Sequence, residues 1–89
     1  MMTSPDPTRL IKRSVVVAGH RTSVSLEDAF WVALKHSAQR KGLSINGLIA
    51  EIDQGRSGNL SSALRVFVLI ERLSAEERAG LPIMADAAE

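Results

Sequence analysis

The chain has no cysteine, which excludes disulfide bonds and thiolate metal sites. It also has no apolar run that approaches the roughly 20 residues needed to cross a bilayer. Its first residues, Met1–Pro7, lack the basic segment and the apolar stretch of a secretory signal. We therefore expect a cytoplasmic protein that does not bind membranes.

Side-chain groupings typical of enzymes are also missing. The two histidines, His20 and His36, lie far apart and have no third ligand at metal-binding spacing. No serine stands with a histidine and a carboxylate in a recognised catalytic arrangement. The Gly55–Gly58 stretch lacks the Gly-Lys-Ser/Thr of a phosphate-binding loop. We expect no enzymatic activity, no metal and no cofactor.

Charge is distributed unevenly along the 89 residues, whose net charge is +1. The segment from Arg9 to Leu26 contains no acidic residue, whereas residues 74–89 hold four acids and one arginine. A basic N-terminal segment suits a polyanionic partner, although a solvated, unstructured tail explains it equally well. The apolar content of 45% is generous for so short a chain, which indicates that some apolar surface is meant for a second subunit.

The residues before the first helix predict an extended segment. Residues 14–26 are short or β-branched, which favours a strand, and Gly19 divides them as a bulge or bend does. Whether Val15–Val17 extends the strand or forms a separate one stays open. From His20 onward, apolar and polar residues alternate. One face takes Thr22, Val24 and Leu26, and the other takes Arg21, Ser23 and Ser25.

Helix signals follow the strand. Apolar residues recur at helical spacing, Gly42 supplies a left-handed C-terminal cap, and Ser44 is a good N-cap for the next helix. The stretch Ser74–Glu77 has the pattern of a capping box. The predicted helices are Glu27–Lys41, Ile45–Gly55, Leu60–Leu73 and a short helix from Ser74 to Gly80.

These elements predict a mainly α fold with one N-terminal β-strand. Because no later segment offers this strand a hydrogen-bonding partner, we expect two copies to pair about a two-fold axis. The result is an intertwined homodimer whose intersubunit antiparallel two-stranded ribbon lies on the helices, with an extra C-terminal helix. The chain then divides into a flexible basic arm, a folded domain, and a tail made of a short helix and a frayed acidic end. These three parts are residues 1–12, 13–73 and 74–89.

A two-stranded ribbon fits the major groove of B-DNA, where arginine and serine side chains can bind base edges. We therefore predict that Arg21, Ser23 and Ser25 contact bases.

Phosphate contacts are predicted from two sources. The start of the second helix offers N–H groups and a positive dipole end to a phosphate oxygen. Basic residues of the N-terminal segment are further candidates, with a flexible tail or a solvated side chain as the alternative. The predicted phosphate-contacting set is Ser44, Ile45, Asn46, Lys12, Arg13 and His20.

Three short motifs carry a resemblance to a known family. They are Thr22–Asp28, the Lys41–Gly42 end of the first helix, and Leu43–Asn46 at the start of the next. Together they resemble the ribbon-helix-helix family of the Arc and MetJ repressors. In that family, alternate strand residues enter the major groove and the second helix holds phosphate at its N-terminus. The sequence departs from the family pattern at Glu27, where proline is common, and two of its three outward strand residues are serines, which discriminate bases weakly.

The resemblance implies a sequence-specific transcriptional regulator, with repression as the predicted mode and a bacterial origin. It would bind double-stranded DNA as a homodimer at a pseudo-palindromic operator, with paired dimers on adjacent half-sites. Two alternatives stay open. One is an antitoxin-like regulator whose residues 60–89 bind a partner protein. The other is a dimeric interaction module that does not bind DNA.

Overall fold

The computed structural model describes residues 6–55 and 58–78, which form a β-hairpin followed by three helices. The order of a two-stranded antiparallel ribbon and then helices confirms the predicted ribbon-helix-helix fold class. The elements are β1 (Leu10–Val17), β2 (His20–Glu27), α1 (Asp28–Lys41), α2 (Ile45–Gly55) and α3 (Leu60–Arg78).

The ribbon is completed inside one chain, so the prediction of a single N-terminal strand is wrong. β1 pairs with β2 along its whole length, from Leu10 opposite Glu27 to Val17 opposite His20. The edge of β2 that faces β1 is therefore hydrogen-bonded within the protomer. The question left open for Val15–Val17 is answered as well, because these residues belong to a separate strand.

A two-residue turn makes this pairing possible. Ala18 and Gly19 have φ angles of +52° and +80°, and positive φ at both central residues defines the turn whose twist matches that of the flanking strands. Such turns usually carry Asn-Gly or Asp-Gly. Since Ala-Gly is a weaker signal, the sequence favoured a bulge or bend at Gly19.

The N-terminal segment is held against the start of α1. The carbonyl oxygens of Pro7 and Arg9 accept hydrogen bonds from the N–H groups of Ala29 and Asp28, at 3.1 and 2.8 Å. These bonds satisfy two of the first-turn donors that a helix leaves open, and no side chain caps the helix at Glu27. The predicted arm boundary at residue 12 falls inside β1, and residues 1–5 lie outside the described part of the chain.

The core lies between the hairpin and the three helices. Trp31 is buried there, and its indole N–H donates to the carbonyl of Ile11 at 2.9 Å. A fully buried leucine or isoleucine stabilises the fold by about 1.5–3 kcal/mol. The buried apolar residues are Val15, Val17, Val24, Leu26, Trp31, Leu34, Ala38, Leu48, Ile49 and Leu64.

The junction between α1 and α2 follows the sequence prediction. Gly42 has a φ of +72° and caps α1, and the N–H of Leu43 bonds back to the carbonyl of Ala38 at 2.9 Å. Ser44 caps α2, because its Oγ accepts the N–H of Gly47 at 2.9 Å. These two caps fix the start of α2 relative to α1.

α3 is one helix of 19 residues, so the predicted break at Ser74 is wrong. Ala75, Glu76 and Glu77 are good helix formers and continue the helix across the capping-box pattern. The end predicted at Gly80 lies outside the described residues. No helix in the described part of the chain is long and apolar enough to cross a membrane.

Candidate nucleic-acid interface

The hairpin presents one polar, solvent-exposed face, which we call the outer face. Residues directly opposite in an antiparallel pair project to the same side, and β2 directs Val24 and Leu26 into the core. The alternate positions therefore point outward from both strands. The outward pairs are Leu10 with Glu27, Lys12 with Ser25, Ser14 with Ser23, and Val16 with Arg21.

All three residues predicted to contact bases lie on the outer face. Arg21 and Ser23 are exposed and Ser25 is half-buried. The structure brings them together with four β1 residues, of which Leu10, Ser14 and Val16 were not predicted as site residues. An alternation of polar and apolar residues would have identified them, but Val16 breaks it because this residue is apolar and points outward.

The charge on the outer face is positive. Lys12 and Arg21 are its basic residues, and Glu27, at the end of β2, is its acidic residue. Glu27 is engaged by Arg65, whose Nε donates to Oε1 at 3.0 Å. A hydrogen bond from the backbone N–H of Glu27 and the bond from Arg65 hold the pKa of this carboxyl below its usual range. The negative charge at this end is therefore paired with an arginine of α3.

Arg13 lies on the opposite side of the ribbon from Lys12. Its guanidinium stands 5.2 Å from the centroid of the Trp31 ring, a geometry for a cation–π contact. Arg13 also lines a shallow groove with Lys35, Gln39 and Ile45, next to the start of α2. The two neighbouring basic residues, predicted together as arm contacts, therefore serve different surfaces. Lys35 was not among the predicted site residues, because its position on α1 is typical of a solvated side chain.

The start of α2 presents the predicted phosphate ligands to solvent. Ser44 and Asn46 are exposed and Ile45 is half-buried. The N–H of Leu48 is the first to bond back along the helix, to the carbonyl of Ser44 at 3.0 Å. Earlier N–H groups, those of Ile45 and Asn46, have no acceptor within the helix. The Oγ of Ser44 is already an acceptor for Gly47, so its hydroxyl hydrogen is the group left to donate.

His20 lies apart from the other predicted phosphate ligands. It sits at the turn end of β2 and lines a different groove, which includes Asp53, Asn59 and Ser61. Within the described residues, no group of histidines and acids has the arrangement of a metal site.

The profile of the ribbon-helix-helix domain family matches residues 10–72, which include the whole hairpin, α1, α2 and most of α3. The chain belongs to the ribbon-helix-helix family. Members of this family are DNA-binding regulators, and they generally bind DNA as dimers.

A solved structure supports the same assignment. The ribbon-helix-helix chain is similar to an uncharacterized protein from Bordetella pertussis Tohama I, with 32% identity and a TM-score of 0.70. The alignment covers 93% of this chain and 75% of that one. No curated protein matches the chain.

Proposed function

We propose that the chain is a sequence-specific DNA-binding transcriptional repressor that inserts its hairpin into the major groove. The observation that carries this proposal is the outer face, on which β2 displays Arg21, Ser23 and Ser25 away from the core. A cytoplasmic location follows from this function.

The dimensions of the ribbon fit this role. Adjacent strands lie about 4.8 Å apart, and the major groove is about 12 Å wide, so two strands and their side chains enter it together. Arg21 can donate two hydrogen bonds to the O6 and N7 atoms of a guanine. Serine hydroxyls bond to several base edges, so Ser23 and Ser25 contribute a smaller share of the base discrimination.

Phosphate contacts would fix the position of the hairpin along the DNA. Arg13, Lys35 and the N–H groups at the start of α2 line one groove beside the ribbon. The Trp31 ring is fixed by its hydrogen bond to the carbonyl of Ile11. The contact of Arg13 with this ring limits the conformational freedom of the guanidinium. Limiting that freedom lowers the entropy lost when a phosphate binds.

The test is binding to a random DNA library by the full chain and by Arg21→Ala. The wild-type chain is expected to select a defined sequence and to lose affinity steeply between about 50 and 200 mM salt. The Arg21→Ala chain should lose the preference for guanine at one position. Arg72→Ala is the matched control, because Arg72 is exposed on α3 and does not belong to the outer face. Unchanged sequence selection by Arg21→Ala would refute the groove assignment.

We further propose that the chain forms a homodimer through α3. Four apolar residues of this helix are exposed at i, i+3, i+4 and i+7 spacing and form one stripe. They are Val66, Leu69, Ile70 and Leu73, with exposures of 52%, 56%, 56% and 41%.

A second copy suits the α3 stripe because a two-fold axis at the centre of the stripe sets two antiparallel α3 helices against each other through the same four side chains. Pairing of this kind covers the exposed apolar side chains of both copies.

A further inference from the structure

A groove between α1 and α3 lies apart from the surfaces described above. Residues from Ala29 to Arg40 of α1 and from Val68 to Ala75 of α3 line it, and we call it the α1–α3 groove. Its volume is about 380 Å³, and small-molecule sites typically measure about 300–1,000 Å³. It shares no residue with the outer face, the groove at the start of α2 or the α3 stripe. We propose that it binds a small apolar monocarboxylate, a molecule with an aliphatic or aryl body and one carboxylate group.

The apolar part of the groove suits the body of such a ligand. Ala29 and Ala33 on α1 and Ala75 on α3 line it, and their short side chains leave space between the helices. Val32 and Val68 supply the larger apolar surfaces. Val32 is 45% exposed, so an apolar molecule that covers it removes this surface from water, which is favourable.

The one carboxylate in the groove, that of Glu71, is already paired. Ser37 is buried, and its hydroxyl donates to Oε1 of Glu71. Nη2 of Arg40 donates to the same oxygen at 2.9 Å and to the Oγ of Ser37 at 3.1 Å. These three side chains form a network in which one acid is matched with one arginine. The network joins α1 to α3 and leaves no unpaired negative charge to repel an anion.

Arg72 supplies the charge that a carboxylate would bind. Among the described residues, neither Arg72 nor His36 forms an ion pair or a side-chain hydrogen bond. With Arg40 and Glu71 cancelling each other, Arg72 gives the groove a net charge of +1 when His36 is neutral. A guanidinium binds a carboxylate through two parallel N–H bonds, and an imidazole N–H is a further donor. A single unpaired arginine beside an apolar surface therefore matches a ligand with a single carboxylate.

Binding of hexanoate and phenylacetate to the full chain tests the inference. 1-Hexanol and hexylamine serve as the uncharged and the cationic counterparts. In amide NMR spectra, both carboxylates should shift the signals of groove residues such as Ala33 and Val68. Hexanol lacks the charge-assisted bonds and should bind about tenfold more weakly or worse, and hexylamine should not bind.

Two variants and a matched control locate the site. Arg72→Gln removes the charge and keeps a polar side chain, so hexanoate should bind about tenfold more weakly while the affinity for hexanol stays the same. Ala33→Leu fills the space between the helices and should abolish binding of both. Lys41→Gln removes one positive charge from an exposed position on α1 outside the groove, and should bind hexanoate as the wild-type chain does.

Each remaining outcome overturns the inference. These outcomes are equal affinity for hexanoate and hexanol, unchanged hexanoate binding by Arg72→Gln, shifts confined to residues outside the groove, and no shift at millimolar hexanoate. A second copy in the groove would instead appear as a change of sedimentation in Ala33→Leu without hexanoate binding by the wild-type chain. Arg72→Gln is an exposed substitution and keeps the test valid if Ala33→Leu does not fold. Because the groove and the outer face share no residue, none of these results decides the proposed DNA binding.

Discussion

The turn at Ala18–Gly19 allows a direct test of the intrachain hairpin, because its backbone is sensitive to residue type. A non-glycine residue at positive φ costs roughly 1–2 kcal/mol, and asparagine bears this cost better than alanine. Ala18 has a φ of +52°. Replacement Ala18→Asn, which creates the preferred Asn-Gly turn, should therefore stabilise the fold by about 1 kcal/mol.

Two further replacements at the turn should act in the opposite direction. No atom lies within 4 Å of a Cβ placed on Gly19, whose φ is +80°. The cost of Gly19→Ala is thus a backbone cost alone, about 1–2 kcal/mol. Ala18→Pro fixes φ near −65°, far from the angle observed, and should cost about 3 kcal/mol or more.

Thermal unfolding followed by circular dichroism measures all three effects. For a domain of this size, 1 kcal/mol corresponds to a change of about 4–8 °C in Tm. The Tm of Ala18→Asn should lie above that of the wild-type chain, the Tm of Gly19→Ala should lie below it, and Ala18→Pro should have the lowest Tm. If the strand instead paired only with a second copy, residue 18 would lie in an extended or flexible arm. An unchanged Tm in Ala18→Pro would then refute the hairpin and, with it, the outer face.

Three other perturbations address the site and the assembly. Leu69→Glu places a charge in the centre of the α3 stripe and should convert the dimer to a monomer in sedimentation experiments. Lys35→Glu, the charge control, should leave the dimer intact. A dimer that persists in Leu69→Glu would contradict the α3 interface. Arg21→Ala should weaken binding to the selected sequence by about 1–3 kcal/mol, measured as Kd, with little change for random DNA. The pKa of Glu27 is lowered from its usual value of 4.5, so its contribution to stability is present above that pH and is lost as the pH falls through the folded-state pKa. The free energy of unfolding, measured with urea, should therefore fall less on acidification in Glu27→Gln than in the wild-type chain. The same dependence on pH in both proteins would contradict the Glu27–Arg65 pairing.

Local signals explain which parts of the fold were predictable from the sequence. The strand from His20, the caps at Gly42 and Ser44, and the apolar spacing of the helices depend on residues near one another in the chain. Each was placed within a residue or two of its observed position. The burial of Val24 and Leu26 followed from alternation alone.

The pairing of β1 with β2 was not predicted because polar and apolar residues do not alternate along β1. Arg13 takes an inward register position opposite Val24 and remains exposed by lying over the Trp31 ring. Val16 takes an outward position although it is apolar. A polar residue inward and an apolar residue outward cancel the period of two that identifies a half-buried strand. Base contacts were consequently predicted from β2 alone, and on the outward side of β1 only Lys12 was predicted as a site residue, for phosphate.

An intrachain ribbon changes what dimerisation contributes. When a ribbon is shared, two-fold pairing creates the reading surface, so a monomer has no sequence preference. If the proposed pairing through α3 links two such hairpins on DNA, it raises affinity through effective concentration, which is about millimolar for closely linked sites. Base preference and operator length then depend on different elements of the chain. A monomeric Leu69→Glu variant should therefore bind more weakly yet select one half-site with the wild-type base preferences, whereas a shared ribbon would lose both together.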